Sequence, residues 1–307
     1  MRQYQFLQLD VFTHEAFAGN QLAVFPDAEG LSDAEMQTIA REMNFSETTF
    51  VLPATDARAV RRVRIFTPAS ELPLAGHPVI GTTFALARLG IISEQTGSPA
   101  YLQLAAGTLP IDLLFDERRL SFVWMHQPVP SFVMWSSDAA RLARTLGLKP
   151  EDIADDLPIE RGSAGVPFIY VPARGIGAVA RSRPGADLAA AMGDVPPNTG
   201  LYLFARDGMA EGIGAHVRMF APGMGIAEDP ATGAAAGPFG VYLLRHGVIA
   251  PDESGVAHIR IEQGIEMARP SQISVSITGS KESVSDVRVG GAAVVVAEGQ
   301  LLVPDGV

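Results

Sequence analysis

Glu47, His77 and Asp229 are the side chains of this 307-residue chain best placed to move or hold a proton. Glu47 lies in Asn44-Phe-Ser-Glu-Thr-Thr-Phe-Val51, between a helix end and an apolar strand. Aromatic and β-branched neighbours predict partial desolvation, which raises a carboxyl pKa toward what general acid/base work at neutral pH needs. The competing reading is a local backbone cap shared with Ser46. His77 stands in Gly76-His77-Pro78, which opens an apolar helix expected over 79–89 and closed by Gly90. Asp229, in Glu228-Asp-Pro-Ala-Thr-Gly233, is an acceptor for a substrate amine or hydroxyl, an N-cap for the helix after Thr232, or both. Glu71 adds a carboxylate in a turn, where a solvated role is the plainer reading.

Both helix starts, Gly76-His77 and Thr232-Gly233, present backbone N–H groups at the positive end of a helix dipole, which suits a substrate carboxylate. The alternative for the first is an ordinary strand–turn–helix joint with a surface histidine. The chain repeats this joint. Val63-Arg-Ile-Phe-Thr-Pro68 returns as Val217-Arg-Met-Phe-Ala-Pro222, 154 residues on, and Gly76–Gly90 returns as Gly233–Gly247, 157 residues on. Asn44–Phe50 matches Asn198–Phe204 at 154, and Leu104–Gly107 matches Ile261–Gly264 at 157. Ordered anchors at near-constant offset describe two copies of one domain; the period is too long for a solenoid. Two such domains are expected to face each other across a cleft.

Composition sets the class. Hydrophobic residues make up 47% and charged residues 19%, enough for a core in each half. A net charge of −11 argues against a nucleic-acid partner, which needs a basic face. The absence of cysteine excludes disulfides, thiolate metal sites and a cysteine base. No signal-like or membrane-length apolar run stands in the sequence, so no membrane partner and a cytoplasmic location are expected.

Along the chain the patterns are mixed. Strands are expected over 4–12, 21–25, 49–52 and 62–66, with a capping-box helix from Ser32 to about Met43. Three further strands follow over 101–104, 109–115 and 120–125. Gln127-Pro-Val-Pro130 reads as the linker. The second half opens with helices over 137–146 and 150–155, and short strands close the chain at 287–289, 292–297 and 300–303. The expected fold is α+β: two pseudo-symmetric domains, each a curled, mostly antiparallel sheet around a central helix. The expected domains are 1–126, completed by strands in 287–307, and 131–286.

Other motifs fail. Gly175-Ile-Gly177-Ala-Val-Ala180 imitates a dinucleotide fingerprint, but Pro184 and Gly185 cut its helix short and no βαβ unit frames it. Gly279-Ser-Lys281-Glu lacks P-loop spacing. His14-Glu15 lacks the second histidine of a zinc helix, and no metal cluster is visible. The two lysines, Lys149 and Lys281, sit in turn contexts that do not suit a Schiff base. His126, His216, His246 and His258 are scattered and read as structural or exposed.

The motif set as a whole resembles the PhzF phenazine-biosynthesis family. It comprises Asn44-x-Ser-Glu-Thr-x-Phe, Phe66-Thr-Pro-x-x-Glu-Leu, Gly76-His-Pro-x-x-Gly-Thr, Arg218-x-Phe-Ala-Pro and Glu228-Asp-Pro-Ala-Thr-Gly. Asp10-Val-Phe-Thr, Gly19-Asn20, Gln263-Gly264 and Arg269-Pro270 extend it over almost the whole chain. The resemblance implies the diaminopimelate-epimerase-like fold with the site between the domains, no cofactor, a homodimer, and the isomerisation of trans-2,3-dihydro-3-hydroxyanthranilate as the family's best-known reaction. It makes Glu47 the proton-transferring residue and Gly76, His77, Asp229 and Gly233 substrate-site positions; Thr232 adds a hydroxyl at the second helix mouth. Ala234 departs from the phenazine enzyme's serine and puts the exact substrate in question. Ala75 and the 229–233 loop contain no cysteine, which excludes a two-thiol racemase.

The expected function is a cofactor-independent isomerase that moves a proton on a small cyclic or amino carboxylate. The alternatives are a non-catalytic small-acid binder and an epimerase whose two bases are Glu47 and another acid such as Asp229.

Overall fold

A computed structural model describes residues 1–304. The chain separates into two compact units: Met1–His126 together with the segment from Gly290 onward, and Gln127–Val289.

In the first unit, β1 (Arg2–Val11), β2 (Asn20–Phe25), α1 (Asp33–Met43), β3 (Glu47–Leu52), β4 (Arg61–Phe66), β5 (Glu71–Leu72), α2 (Gly76–Arg88), β6 (Ala100–Leu104), β7 (Gly107–Asp116) and β8 (Arg119–Gln127) follow in order. The C-terminal strand Ala293–Val303 runs antiparallel along β1, from Val11 opposite Ala293 to Arg2 opposite Val303. β1 pairs antiparallel with β2, β2 parallel with β3 and β3 antiparallel with β4. β4 takes β5 antiparallel and β6 parallel, and β6 to β8 form a meander. α1 starts at the capping box of Ser32 and Glu35 and ends at Asn44 in the left-handed region. It packs Met36, Ile39 and Ala40 against Phe25, Phe50 and Phe66 on one face of the sheet. α2 packs on β1, β2 and β3 and is buried from Gly76 through Thr83. Gly81 permits this approach, since a Cβ there would stand 2.6 Å from a Leu22 methyl and 2.7 Å from a Val11 methyl.

The second unit contains β9 (Ser131–Met134), α3 (Ala139–Thr145), β10 (Glu160–Ser163), β11 (Pro167–Pro172), α4 (Ile176–Arg181), α5 (Leu188–Ala191), β12 (Gly200–Ala205), β13 (Ala215–Ala221), β14 (Ile226–Asp229), α6 (Gly233–Arg245), β15 (Val256–Gln263), β16 (Ser271–Gly279) and most of β17 (Val284–Gly291); Ala293–Val303 is β18. β10 to β16 repeat the pairing of β1 to β7: β11 parallel with β12, β12 antiparallel with β13, and β13 carrying β14 antiparallel and β15 parallel. α6, like α2, is thirteen residues long and almost wholly buried. α3, α4 and α5 cover the opposite face through Leu142, Leu146, Val179 and Leu188. Each unit is therefore a curled, mostly antiparallel sheet around one apolar helix.

Strand register refines the internal match. Thr49 stands opposite Ile65, and Tyr202 opposite Met219, so Thr49 answers to Tyr202 and Glu47 to Gly200, an offset of 153. The sequence match at 154 is one residue out on this strand. Two expected details also change. The 150–155 helix is a single 3-10 turn, Pro150–Asp152, and the strands expected at 292–297 and 300–303 are one continuous strand. Among the described residues no helix is long and apolar enough to cross a membrane.

Candidate active site

Glu47 is the first residue of β3, and β2 to β3 run parallel with Leu22 opposite Glu47. Side chains alternate along a strand, and Thr49 touches Thr82 of α2 through hydroxyls 2.8 Å apart. Glu47, two residues earlier, is thus on the helix side of the sheet, toward the start of α2. There His77, in the helix's first turn, brings Nε2 to 3.2 Å from Glu47 Oε2. The two atoms are in contact without the alignment of a formed hydrogen bond. His77 is 5% exposed, and its Nδ1 lies 3.4 Å from the Asn20 side-chain amide. Burial pushes His77 down to about 3, with the Gln21 backbone opposing, so the imidazole is neutral at physiological pH.

The second unit supplies a different set. Asp229 ends β14 and is buried. Thr232 takes the N-cap position of α6, but its hydroxyl donates to Asp229 Oδ2 at 2.6 Å and caps no helix N–H. Asp229 is therefore not the N-cap. Gln263, at the end of β15, ties the loop together. Its Nε2 donates to the Asp229 carbonyl at 2.7 Å and to Thr232 Oγ1 at 2.9 Å, while its Oε1 accepts from the Thr232 amide at 3.1 Å. Gly233 begins the helix, and its carbonyl accepts from Gln127 Nε2. Neither Ala75 nor Thr232 caps its helix through a side chain, so the first-turn N–H groups at Gly76–His77 and Gly233–Ala234 are not taken up by a cap.

The structure thus brings Glu47, Gly76 and His77 together in one unit and Asp229, Thr232 and Gly233 together in the other. Glu71 belongs to neither set: it forms a two-pronged ion pair with Arg64, at 2.7 and 2.6 Å. Sequence reasoning missed the bridging role of Gln263, which it met only as part of a motif and of the repeat anchor Ile261–Gly264. It read His216 as structural or exposed, and the structure makes it structural. His216 is fully buried on β13, between Glu262 at 2.7 Å and Glu266 at 2.8 Å. Burial opposes its charge, but the two carboxylates outweigh burial and raise its pKa.

Set side by side, the two copies divide the polar groups. By register and helix offset, Glu47 and His77 are answered by Gly200 and Ala234. Asp229, Thr232 and Gln263 are answered by Leu72, Ala75 and Leu104. No acid could occupy position 200 without rearrangement, since a Cβ there would stand 2.6 Å from the Phe168 ring. Among the described residues no group of three or more histidine, aspartate or glutamate side chains is placed to hold a metal ion.

The model of the family described as "Phenazine biosynthesis-like protein" matches residues 9–299. The chain is 38% identical to the trans-2,3-dihydro-3-hydroxyanthranilate isomerase of Pseudomonas aeruginosa, over 97% of this chain and 99% of that protein. A crystal structure of a Bacillus anthracis phenazine biosynthesis protein of the PhzF family superposes with a TM-score of 0.88 at 29% identity, covering 99% of this chain and all of the other. A hydroxyproline epimerase from Agrobacterium vitis shares the fold at a TM-score of 0.62 and 18% identity, over 99% of this chain and 94% of that one. With the motifs, the repeated sheet and these likenesses in agreement, the chain belongs to the phenazine biosynthesis-like, or PhzF, family.

Proposed function

We propose that this protein is an isomerase that moves a proton between two carbons of a small cyclic or amino carboxylate, with Glu47 as the general acid/base. The observation that carries this is the Glu47–His77 contact at 3.2 Å with a neutral imidazole. A protonated His77 would hold Glu47 as a fixed carboxylate. A neutral one leaves Glu47 able to gain and lose a proton. Glu47 takes a proton from one carbon; the electron pair shifts the double bond along the allylic frame; the same proton returns at the far end. Each step balances on the substrate and Glu47 alone, so no cofactor is called on.

In this reading the uncapped first turns at Gly76–His77 and Gly233–Ala234 hold the substrate carboxylate. Asp229, fixed by Thr232 and Gln263, receives a polar substituent. Acid–base help of this kind contributes about 10²–10⁴-fold in rate. The likeness to a trans-2,3-dihydro-3-hydroxyanthranilate isomerase makes that compound the first to try. Ala234 leaves the second helix mouth without a side-chain hydroxyl at that position, so a relative of that compound is an equal candidate.

The test is incubation of the purified protein, without added cofactor, with trans-2,3-dihydro-3-hydroxyanthranilate and a panel of cyclic and amino carboxylates in deuterated water, followed by NMR. A displaced double bond is the expected result. Deuterium uptake with inversion at one carbon would make the protein an epimerase instead. Ligand-induced thermal shifts without any chemistry would make it a binding protein.

A further inference from the structure

Three tyrosines of the second unit, Tyr170, Tyr202 and Tyr242, are fully buried and gather around Phe239 of α6. Two of them use their hydroxyls. Tyr170 donates to the Ala235 carbonyl at 3.0 Å and Tyr242 to the Pro158 carbonyl at 2.7 Å. The Tyr202 hydroxyl is buried with no hydrogen-bond partner. Packing does not call for it: Phe204 and Phe239 fill the same cluster with no oxygen. A buried hydroxyl left unmatched is unfavourable, so its retention asks for a partner that the protein alone does not supply.

The sheet says where that partner lies. Tyr202 stands opposite Met219, and Met219 opposite Asp229, so the three form one row across β12, β13 and β14 on the α6 side. Two strand spacings, about 9–10 Å, separate the two backbones, and the Asp229 charge acts on the phenol. Burial first, and that charge second, push the phenol well up, so it is protonated and can only be a donor toward an acceptor brought to it.

We propose, resting on the isomerase reading above, that Tyr202 is a specificity-determining residue of the Asp229 end of the site, donating to the same substrate substituent from which Asp229 accepts. Such a pair fits a hydroxyl, which gives and takes a hydrogen bond at one oxygen. A ketone cannot donate to Asp229, an ammonium cannot accept from Tyr202, and a bare C–H does neither.

The test uses 3-hydroxyanthranilate and anthranilate, stable carboxylates that differ by one hydroxyl, with binding measured by calorimetry on wild type, Tyr202→Phe, Asp229→Asn and the double variant. Wild type should prefer the hydroxylated probe by about tenfold or more, and Tyr202→Phe should abolish the preference. Without ligand, the Tyr202→Phe melting temperature should be unchanged or higher, because the hydroxyl has no partner to lose. A melting temperature several degrees lower would give the hydroxyl a structural bond and overturn the proposal. So would a hydroxyl preference that survives in Tyr202→Phe, or wild-type binding of both probes with equal affinity. Full additivity of the Tyr202 and Asp229 effects would also overturn it, since the pair is argued to share one oxygen. If neither probe binds wild type, the carboxylate reading itself fails, and this proposal with it.

Discussion

Thr232 donates its hydroxyl to Asp229 Oδ2 at 2.6 Å, so the residue at the N-cap of α6 fixes a carboxylate and leaves the first turn of its own helix uncapped. Hydrogen bonds to charged groups contribute about 1.5–3 kcal/mol. Thr232→Val keeps the shape and removes the donor. It should lower unfolding stability by about that amount and weaken carboxylate binding, as read by denaturant titration and calorimetry. Unchanged values for both would mean that the bond does not hold Asp229 in place.

Glu47→Gln should leave substrate binding within a few-fold while lowering turnover by at least about a hundredfold, the low end of what acid–base help supplies. The amide keeps the contact with His77 but cannot carry the proton. Steady-state kinetics decide it: near-normal turnover removes Glu47 from the mechanism, and lost binding with unchanged turnover makes it a positioning residue.

Two buried histidines should be shifted in opposite directions. His77, pushed down to about 3, should stay neutral from pH 8 to pH 5, whereas His216, held between Glu262 and Glu266, should keep its proton to a higher pH than a free imidazole does. Nitrogen-15 NMR of the imidazoles distinguishes the two forms. A His77 ring that titrates near 6.5 would show it to be solvated.

The same cluster sets a pH dependence of stability. His216 has a folded pKa above its unfolded value, so its contribution is complete below about 6.5 and is lost as pH rises through the folded value. Glu266 has a folded pKa below its unfolded value despite burial, chiefly through the His216 hydrogen bond. Its contribution is present above about 4.5 and is lost as pH falls through the folded value. His216→Gln should therefore cost more stability at pH 6 than at pH 9, measured by urea unfolding. An equal cost at both values would leave the His216 charge without effect.

Gly200→Ala should destabilise the second unit by about 1–3 kcal/mol through overpacking, because the added methyl meets Phe168 at 2.6 Å. A neutral effect in thermal unfolding would show that the Phe168 ring gives way easily.

Much of this architecture was legible in the residues. Ser32 and Glu35 form the capping box that their spacing announces, and the two joints at Gly76 and Gly233 start helices of equal length. The one-residue slip on β3 and β12 has a physical cause. Both strands are buried on both faces, so no apolar–polar alternation marks which side chains point inward, and matching Phe50 to Phe204 looks as good as the true match to Leu203. The Gln263 bonds to Asp229 and Thr232 span 34 and 31 residues, and the His216–Glu262 contact spans 46. No local pattern encodes such pairings. The pairing of Glu47 with His77 was legible only as two residues of suitable chemistry; their contact depends on β3 and α2 meeting in the fold.

The strand Ala293–Val303 lies along β1 from end to end, so the first unit is closed by a strand that follows the whole second unit in sequence. On the ribosome, the first unit therefore begins to form early but waits with an open β1 edge until that strand has emerged. The Gln127–Val289 unit is continuous in sequence and has every strand of its own interior before that moment. The unit synthesised first is the one finished last, and for the whole of that interval its exposed edge is the part of the chain most open to pairing with a neighbour.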